Sequence, residues 1–101
     1  MKGFTCHDSG SEYVVCASID PNIIEVLIVP RNSADPSAFK RRIRIDASTR
    51  FIELHRDDGS RSYIYLSNEY TFKTFAIHTI EMIEEELGVD LGWLRLYLES
   101  L

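Results

Sequence analysis

Three histidines, two cysteines and a surplus of carboxylates are the side chains on which this 101-residue chain could build chemistry. Cys6-His7-Asp8 sets three metal-ligand types in a row, yet adjacent side chains seldom converge on one ion. His78-x-x-Glu81 places two ligands on one turn of a helix, fewer than the three or four that a zinc site needs. His55 stands apart, and no CxxC or HExxH spacing joins these groups, so no metal site is expected. Nucleophilic catalysis needs a cysteine or serine beside a histidine that a carboxylate orients. No nucleophile-elbow pattern frames any serine, so the chain is not expected to be an enzyme. Gly3, Gly10, Gly59, Gly88 and Gly92 are scattered, without the spacing that lets backbone amides cradle a phosphate, and no cofactor is expected.

The carboxylates crowd one place. Glu81, Glu84, Glu85 and Glu86 occupy the C-terminal half of a helical segment, 70–87, just before Gly88. That end of a helix carries the negative pole of the backbone dipole, so acids there are mildly destabilising. Glu81 and Glu85 are a like-charge pair one turn apart, and no lysine or arginine follows before Arg95. Surface helices are often rich in glutamate, and a solvated face is the plain explanation. A surface kept for a basic partner is the sharper one. Ile77 would lie outward beside Glu81 and Glu84, where a lone aliphatic ringed by charge can anchor a contact. The expected partner-binding residues are therefore Ile77, Glu81, Glu84 and Glu85, while Glu86 borders the apolar stripe and is expected to meet the basic strands.

Basic residues are segregated. The net charge of −5 divides into −3 over residues 1–30, +3 over 31–66 and −5 over 67–101. Lys40, Arg42 and Arg44 line one face of an alternating strand, with Arg41, Ile43 and Ile45 on the other. Basic side chains near Tyr63 and Tyr65 could hold phosphates and stack bases. The overall acidity, and the expectation that Tyr63 and Tyr65 cover Ile52 and Leu54, argue against nucleic acid. Charge protecting an edge strand accounts for the same residues.

The elements that must position these groups follow from periodicity. Runs 13–19 and 23–29 are rich in β-branched residues and flank Asp20-Pro21-Asn22, a turn with proline at its second position. Closing that hairpin sets Ile19 opposite Ile24, Ala17 opposite Val26 and Val15 opposite Ile28. Its other face, with Val14, Cys16, Leu27 and Val29, is also half apolar and needs cover from the C-terminal tail or a second chain, so a homodimer is a live option. Residues 30–38 hold two prolines and read as an irregular loop. Runs 50–56 and 61–66 flank Asp57-Asp58-Gly59-Ser60. A two-residue turn at Asp58-Gly59 pairs Leu54 with Tyr63 and Ile52 with Tyr65.

Phe72, Phe75, Ala76, Thr79, Ile80, Ile83 and Leu87 recur at three and four residues, the apolar stripe of one main helix. Thr71 is the first choice of N-cap, Ser67 or Asn68 the second, and Gly88 suits the C-terminal cap. The tail 90–101 fits either helix or strand, and its leucines tilt the choice to helix.

The chain is thus expected to be one domain, 1–101, of α+β class. An antiparallel sheet of about five strands, a meander of hairpins, carries one main amphipathic helix and a short C-terminal helix or strand. No apolar run reaches the roughly 18 residues of a membrane span, and the start has no apolar h-region of a signal peptide. Cys16 reads as a small buried hydrophobe rather than half of a bridge with Cys6, so both cysteines are expected to stay reduced and the compartment to be the cytoplasm.

Size, acidity and the glutamate cluster together suggest a small bacterial inhibitor. It would resemble an immunity protein or antitoxin, or a phage-type inhibitor, that binds a basic toxin or nuclease domain. The alternative is a nucleic-acid-binding regulator or small enzyme that uses strand 40–44.

Overall fold

The computed structural model describes residues 3–8, 12–33, 35 and 37–101. The polar stretch 9–11 and positions 34 and 36 of the irregular loop lie outside the described residues. Among the described residues six strands follow one another: β1 (Thr5–Asp8), β2 (Tyr13–Asp20), β3 (Ile23–Pro30), β4 (Arg41–Asp46), β5 (Phe51–Arg56) and β6 (Arg61–Tyr65). They form one antiparallel sheet in sequence order, and the chain then enters two helices, α1 (Glu69–Leu87) and α2 (Gly92–Ser100). The α+β meander is as expected, with one strand more. The addition is β1, four residues with a mixed polar composition that carries no alternation signal.

The β2–β3 hairpin has the expected register, with Ile19 opposite Ile24, Ala17 opposite Val26 and Val15 opposite Ile28. β5 and β6 do not. Leu54 faces Ser62, Ile52 faces Ile64 and Glu53 faces Tyr63. Gly59 N donates to Arg56 O at 3.1 Å and Arg56 N donates to Ser60 O at 3.0 Å. Asp57-Asp58 therefore forms the turn, and Gly59 follows it at φ +88°, the left-handed bulge position of a three-residue loop. One extra loop residue moves the whole of β6 by one and reverses its faces. Tyr63 and Tyr65 leave the core side, and Ser62 and Ile64 replace them.

The main core lies between the sheet and the helices. Val15, Ile24, Val26, Ile28, Ile43, Ile45 and Ile52 meet Phe72, Ala76, Ile80 and Ile83 of α1, and Leu94 and Leu98 of α2. Asn68, the second choice, is the N-cap: its Oδ1 accepts from Thr71 N at 3.0 Å. Gly88 ends the helix at φ +67° and donates to Glu84 O. The tail is helical, and Leu91, Leu94 and Leu98 are fully buried.

The second sheet face is closed differently from expectation. α2 lies on the same side as α1. Cys16, Leu27 and Val29 instead pack with Val14, Phe4 from the N-terminal segment and Phe39 from the loop before β4. Cys16 is buried as expected, but it is bonded to Cys6, its direct cross-strand partner. The expectation of two reduced cysteines is therefore corrected. Spacing alone gave no sign that residues 5–8 return as a strand beside β2.

Candidate protein-docking surface

Helix α1 distributes its side chains over four sides. Phe72, Ala76, Ile80 and Ile83 face the core. Lys73 and Glu84 face α2: the Lys73 ammonium donates to the carbonyls of Glu99 and Leu101, at the end of that helix. Phe75, Thr79, Met82 and Glu86 look toward β5 and β6. Thr74, His78, Glu81 and Glu85 are left, and their spacing of three and four residues makes an outward ridge.

The four glutamates divide two and two. Glu84 is mostly buried, at 16% side-chain exposure, and its carboxylate accepts from Arg95 Nε at 2.6 Å and from Leu91 N at 3.0 Å. The hydrogen bond and charge of Glu84 hold the Arg95 guanidinium above its ordinary pKa, with lesser attraction from Glu81 and Asp90. Glu86 is ion-paired to the buried Arg41, whose guanidinium also lies 3.6 Å from Asp57. That pairing with the basic strands is as expected. Glu81 and Glu85 are exposed and have no ion pair within 4 Å among the described residues.

Two of the residues expected to meet a partner are placed otherwise. Ile77 is half-buried and packs against the main core, because α2 lies along the flank of α1 that the sequence suggested was open. Glu84 is turned inward to Arg95 and the start of α2, so it is a bracing residue and not an exposed one. The apolar component of the outward surface comes from residues the periodicity had assigned elsewhere or passed over. Met82 is 56% exposed and Phe75 36%, both at the shoulder of the Glu81–Glu85 ridge, with Tyr70 more open still at the N-terminal turn. Phe75 sits at the margin of the apolar stripe.

The opposite sheet face bears a ladder of alternating charge. Arg42 bonds Glu25 at 3.1 Å, Arg44 lies 3.4 Å from Glu53 and 3.9 Å from Glu25, and His55 lies 3.3 Å from Glu53. Beside it Tyr63 stacks on Phe51 with 6.1 Å between ring centroids and presents an edge to His55. Among the described residues no three histidine, cysteine, aspartate or glutamate side chains gather as a metal site.

No family model, curated protein or solved structure matches the chain. The surfaces themselves must carry the functional argument. Two hydrogen-bonded glutamates fix the helices to each other and to the sheet, while two unpaired ones repel each other in solvent beside an exposed methionine and phenylalanine. A cation placed between Glu81 and Glu85 would relieve that repulsion, and Met82 and Phe75 would give it an apolar floor.

Proposed function

We propose that this protein is a small binding inhibitor that lays the outward ridge of α1 on a basic protein partner, in the manner of an immunity protein or antitoxin or of a phage-type inhibitor. The supporting observation is the exposed pair Glu81 and Glu85, neither of them in an ion pair among the described residues, next to exposed Met82. An aromatic or methionine anchor flanked by charge is the usual anatomy of an interface centre and its rim. The glutamates would steer association by pairing with lysines or arginines that otherwise hold substrate phosphates, and Met82 with Phe75 would supply the contact. No reaction, cofactor or metal enters this mechanism.

The partner is sought by retaining proteins from a bacterial extract on the immobilised chain at low and high salt. Wild type is expected to hold a basic protein that the Glu81→Lys/Glu85→Lys variant loses. For that pair, stopped-flow association should slow at least tenfold in the variant and lose most of its salt dependence. Equal association rates for the two proteins across the salt series would remove the α1 ridge from the proposal.

The cytoplasm belongs to the same proposal, and the Cys6–Cys16 bridge weighs against it, because disulfides persist in oxidising compartments. Thiol alkylation of acid-quenched cells decides: a bridged pair, as the structure has it, would remove the cytoplasm from the proposal. Among the described residues no helix is long and apolar enough to cross a membrane.

A second reading draws on the register of β6. Tyr63 and Tyr65, 54% and 61% exposed, share the open sheet face with Arg42, Arg44 and Arg61. This removes one argument against single-stranded nucleic acid, while Glu25 and Glu53 in the same ladder still oppose it. Titration with labelled oligonucleotides at low salt separates the readings. Absence of binding at tens of micromolar protein eliminates this one, since non-specific binders reach about that range.

A further inference from the structure

β6 is the last strand of the sheet, and nothing in the described residues covers its outer side. Leu66 N donates to Arg50 O and Arg56 N to Ser60 O, which fixes the phase of the ladder with β5. Even-numbered residues of β6 therefore bond inward, and the alternation of an antiparallel ladder turns the N–H and C=O groups of Arg61, Tyr63 and Tyr65 outward. Native edges are usually blunted by proline, lysine, a bulge or an inward charge. β6 has no proline, lysine or inward charge; its only protections are its length of five residues and the charge of Arg61 at one end, which leave Tyr63 and Tyr65 open.

Alongside that edge runs a cleft of about 200 Å³ between β6 and α1, with Ile64 and Ser62 on one wall and Phe75, Thr79 and Met82 on the other. This is below the roughly 300 Å³ at which small-molecule pockets begin, and so is sized for side chains. Arg56 stands at its end. Its guanidinium donates to Ser60 Oγ at 3.4 Å and Ser62 Oγ at 3.2 Å, and no carboxylate lies within ion-pair distance among the described residues. Glu86, which also lines the cleft, is taken by Arg41.

We propose that β6 receives an extended segment of another protein as a seventh strand. Alternate backbone groups of the segment pair with Arg61, Tyr63 and Tyr65. One aliphatic side chain enters the cleft between Ile64 and Met82, and an aspartate or glutamate beside it reaches Arg56. Backbone pairing supplies affinity in such strand addition, and the pocket for alternate side chains supplies selectivity. The glutamates of the α1 ridge are not required. Met82 and Phe75 border both surfaces, so Glu81→Lys/Glu85→Lys on one side and Arg56→Glu on the other distinguish failure of one proposal from failure of the other.

The test starts from random dodecapeptides displayed on phage and selected on the immobilised protein. Selected sequences, made as fluorescein-labelled peptides and measured by anisotropy, are expected to alternate, with an aliphatic residue two positions from an acid. Arg56→Glu and Met82→Glu should each weaken binding at least tenfold, and Glu81→Lys/Glu85→Lys should change it less than twofold. Backbone N-methylation of the peptide leaves the protein untouched: at alternate positions it should abolish binding in one phase and be tolerated in the other.

The proposal is overturned if no selected peptide binds below 100 µM, if both methylation phases behave alike, or if affinity follows Glu81 and Glu85 instead of Arg56. Sedimentation showing a dimer with an exchange-protected Tyr63 amide would also overturn it, because a second copy would then hold the edge.

Discussion

Replacing Glu84 by alanine should weaken the junction of the two helices without touching the proposed docking ridge. Glu84 Oε2 is the partner given to the amide of Leu91, the fully buried residue that leads into α2. Without that oxygen a buried N–H is left unsatisfied, which costs about 1–3 kcal/mol. The helices still hold each other through Leu94 and Leu98, so a central loss of about 2 kcal/mol is expected. For a domain of this size that lowers the melting temperature by roughly 8–16 °C. Glu84→Gln keeps an acceptor oxygen for Leu91 and should cost about 1 kcal/mol or less. Arg95→Ala removes only the more exposed half of the pair, at 38% side-chain exposure, and should cost less than Glu84→Ala. Glu85→Ala changes an exposed, unpaired side chain and should stay within about 0.5 kcal/mol of wild type. Urea titration followed by circular dichroism gives all four values at a shared slope. Equal costs for Arg95→Ala and Glu84→Ala would refute this account, since the ion pair and not the Leu91 amide would then be the brace.

Three further expectations concern stability. Asp46 accepts from Ser48 Oγ, Ser48 N and Thr49 N, which lowers its pKa in the folded protein, the Ser48 hydroxyl first. On acidification the unfolded chain takes up that proton first. The stabilisation is therefore complete above the ordinary carboxylate pKa of about 4 and is lost as pH falls through the lowered folded value. Asp46→Asn should flatten the acid limb of a melting-temperature profile below about pH 4, and an unchanged limb would refute the assignment. Reduction of Cys6–Cys16, which are 10 residues apart, should cost up to about 3 kcal/mol by the chain-entropy account. Hydrogen exchange should place the early loss of protection in β1 and β2, and equal loss in β4 and β5 would contradict a local role. Gly59→Ala puts a Cβ at φ +88° in open space, so its cost of about 1–2 kcal/mol is conformational and should appear in the denaturation midpoint.

Much of the fold was legible because one physical signal dominated each element. β-branched runs around Pro21-Asn22 fix a register with only one fully apolar face, and the apolar stripe from Phe72 to Ile83 admits only a helix. Asp57-Asp58-Gly59 was less decisive. Asp-Gly suits both a two-residue turn and a three-residue loop with glycine at the bulge, and either choice leaves a plausible pattern in Arg61-Ser62-Tyr63-Ile64-Tyr65. The deciding fact is tertiary: Ser62 and Ile64 stand on the side beneath α1, while the two tyrosines stand on the open face.

The candidate surface was half legible for a related reason. Helical periodicity says which residues share a side, but not which side the tail will cover. Once α2 packs along the Lys73–Glu84 flank, Ile77 is screened and Glu84 finds Arg95 eleven residues on, a distance at which no local rule operates. Glu86 could be assigned to the basic strands because it borders the apolar stripe; the structure names Arg41, on the core side of its strand with Ile43 and Ile45, as its partner. β1 and its bridge to Cys16 escaped notice since a four-residue polar strand has no pattern of its own and exists only through its neighbour.

The strict sequence order of the sheet also bears on how the molecule reaches this state. Each strand finds its partner in the segment just made, so every step of sheet growth closes a short loop, and the entropy spent before a pairing is rewarded is small. The helices follow the strands in the chain and lock the finished sheet. A ribosome-bound intermediate ending near Leu66 would present six strands with a bare apolar side, and it is the emergence of α1 and α2 that withdraws this surface from aggregation. Synthesis should accordingly be most vulnerable in the interval between β6 and Leu98.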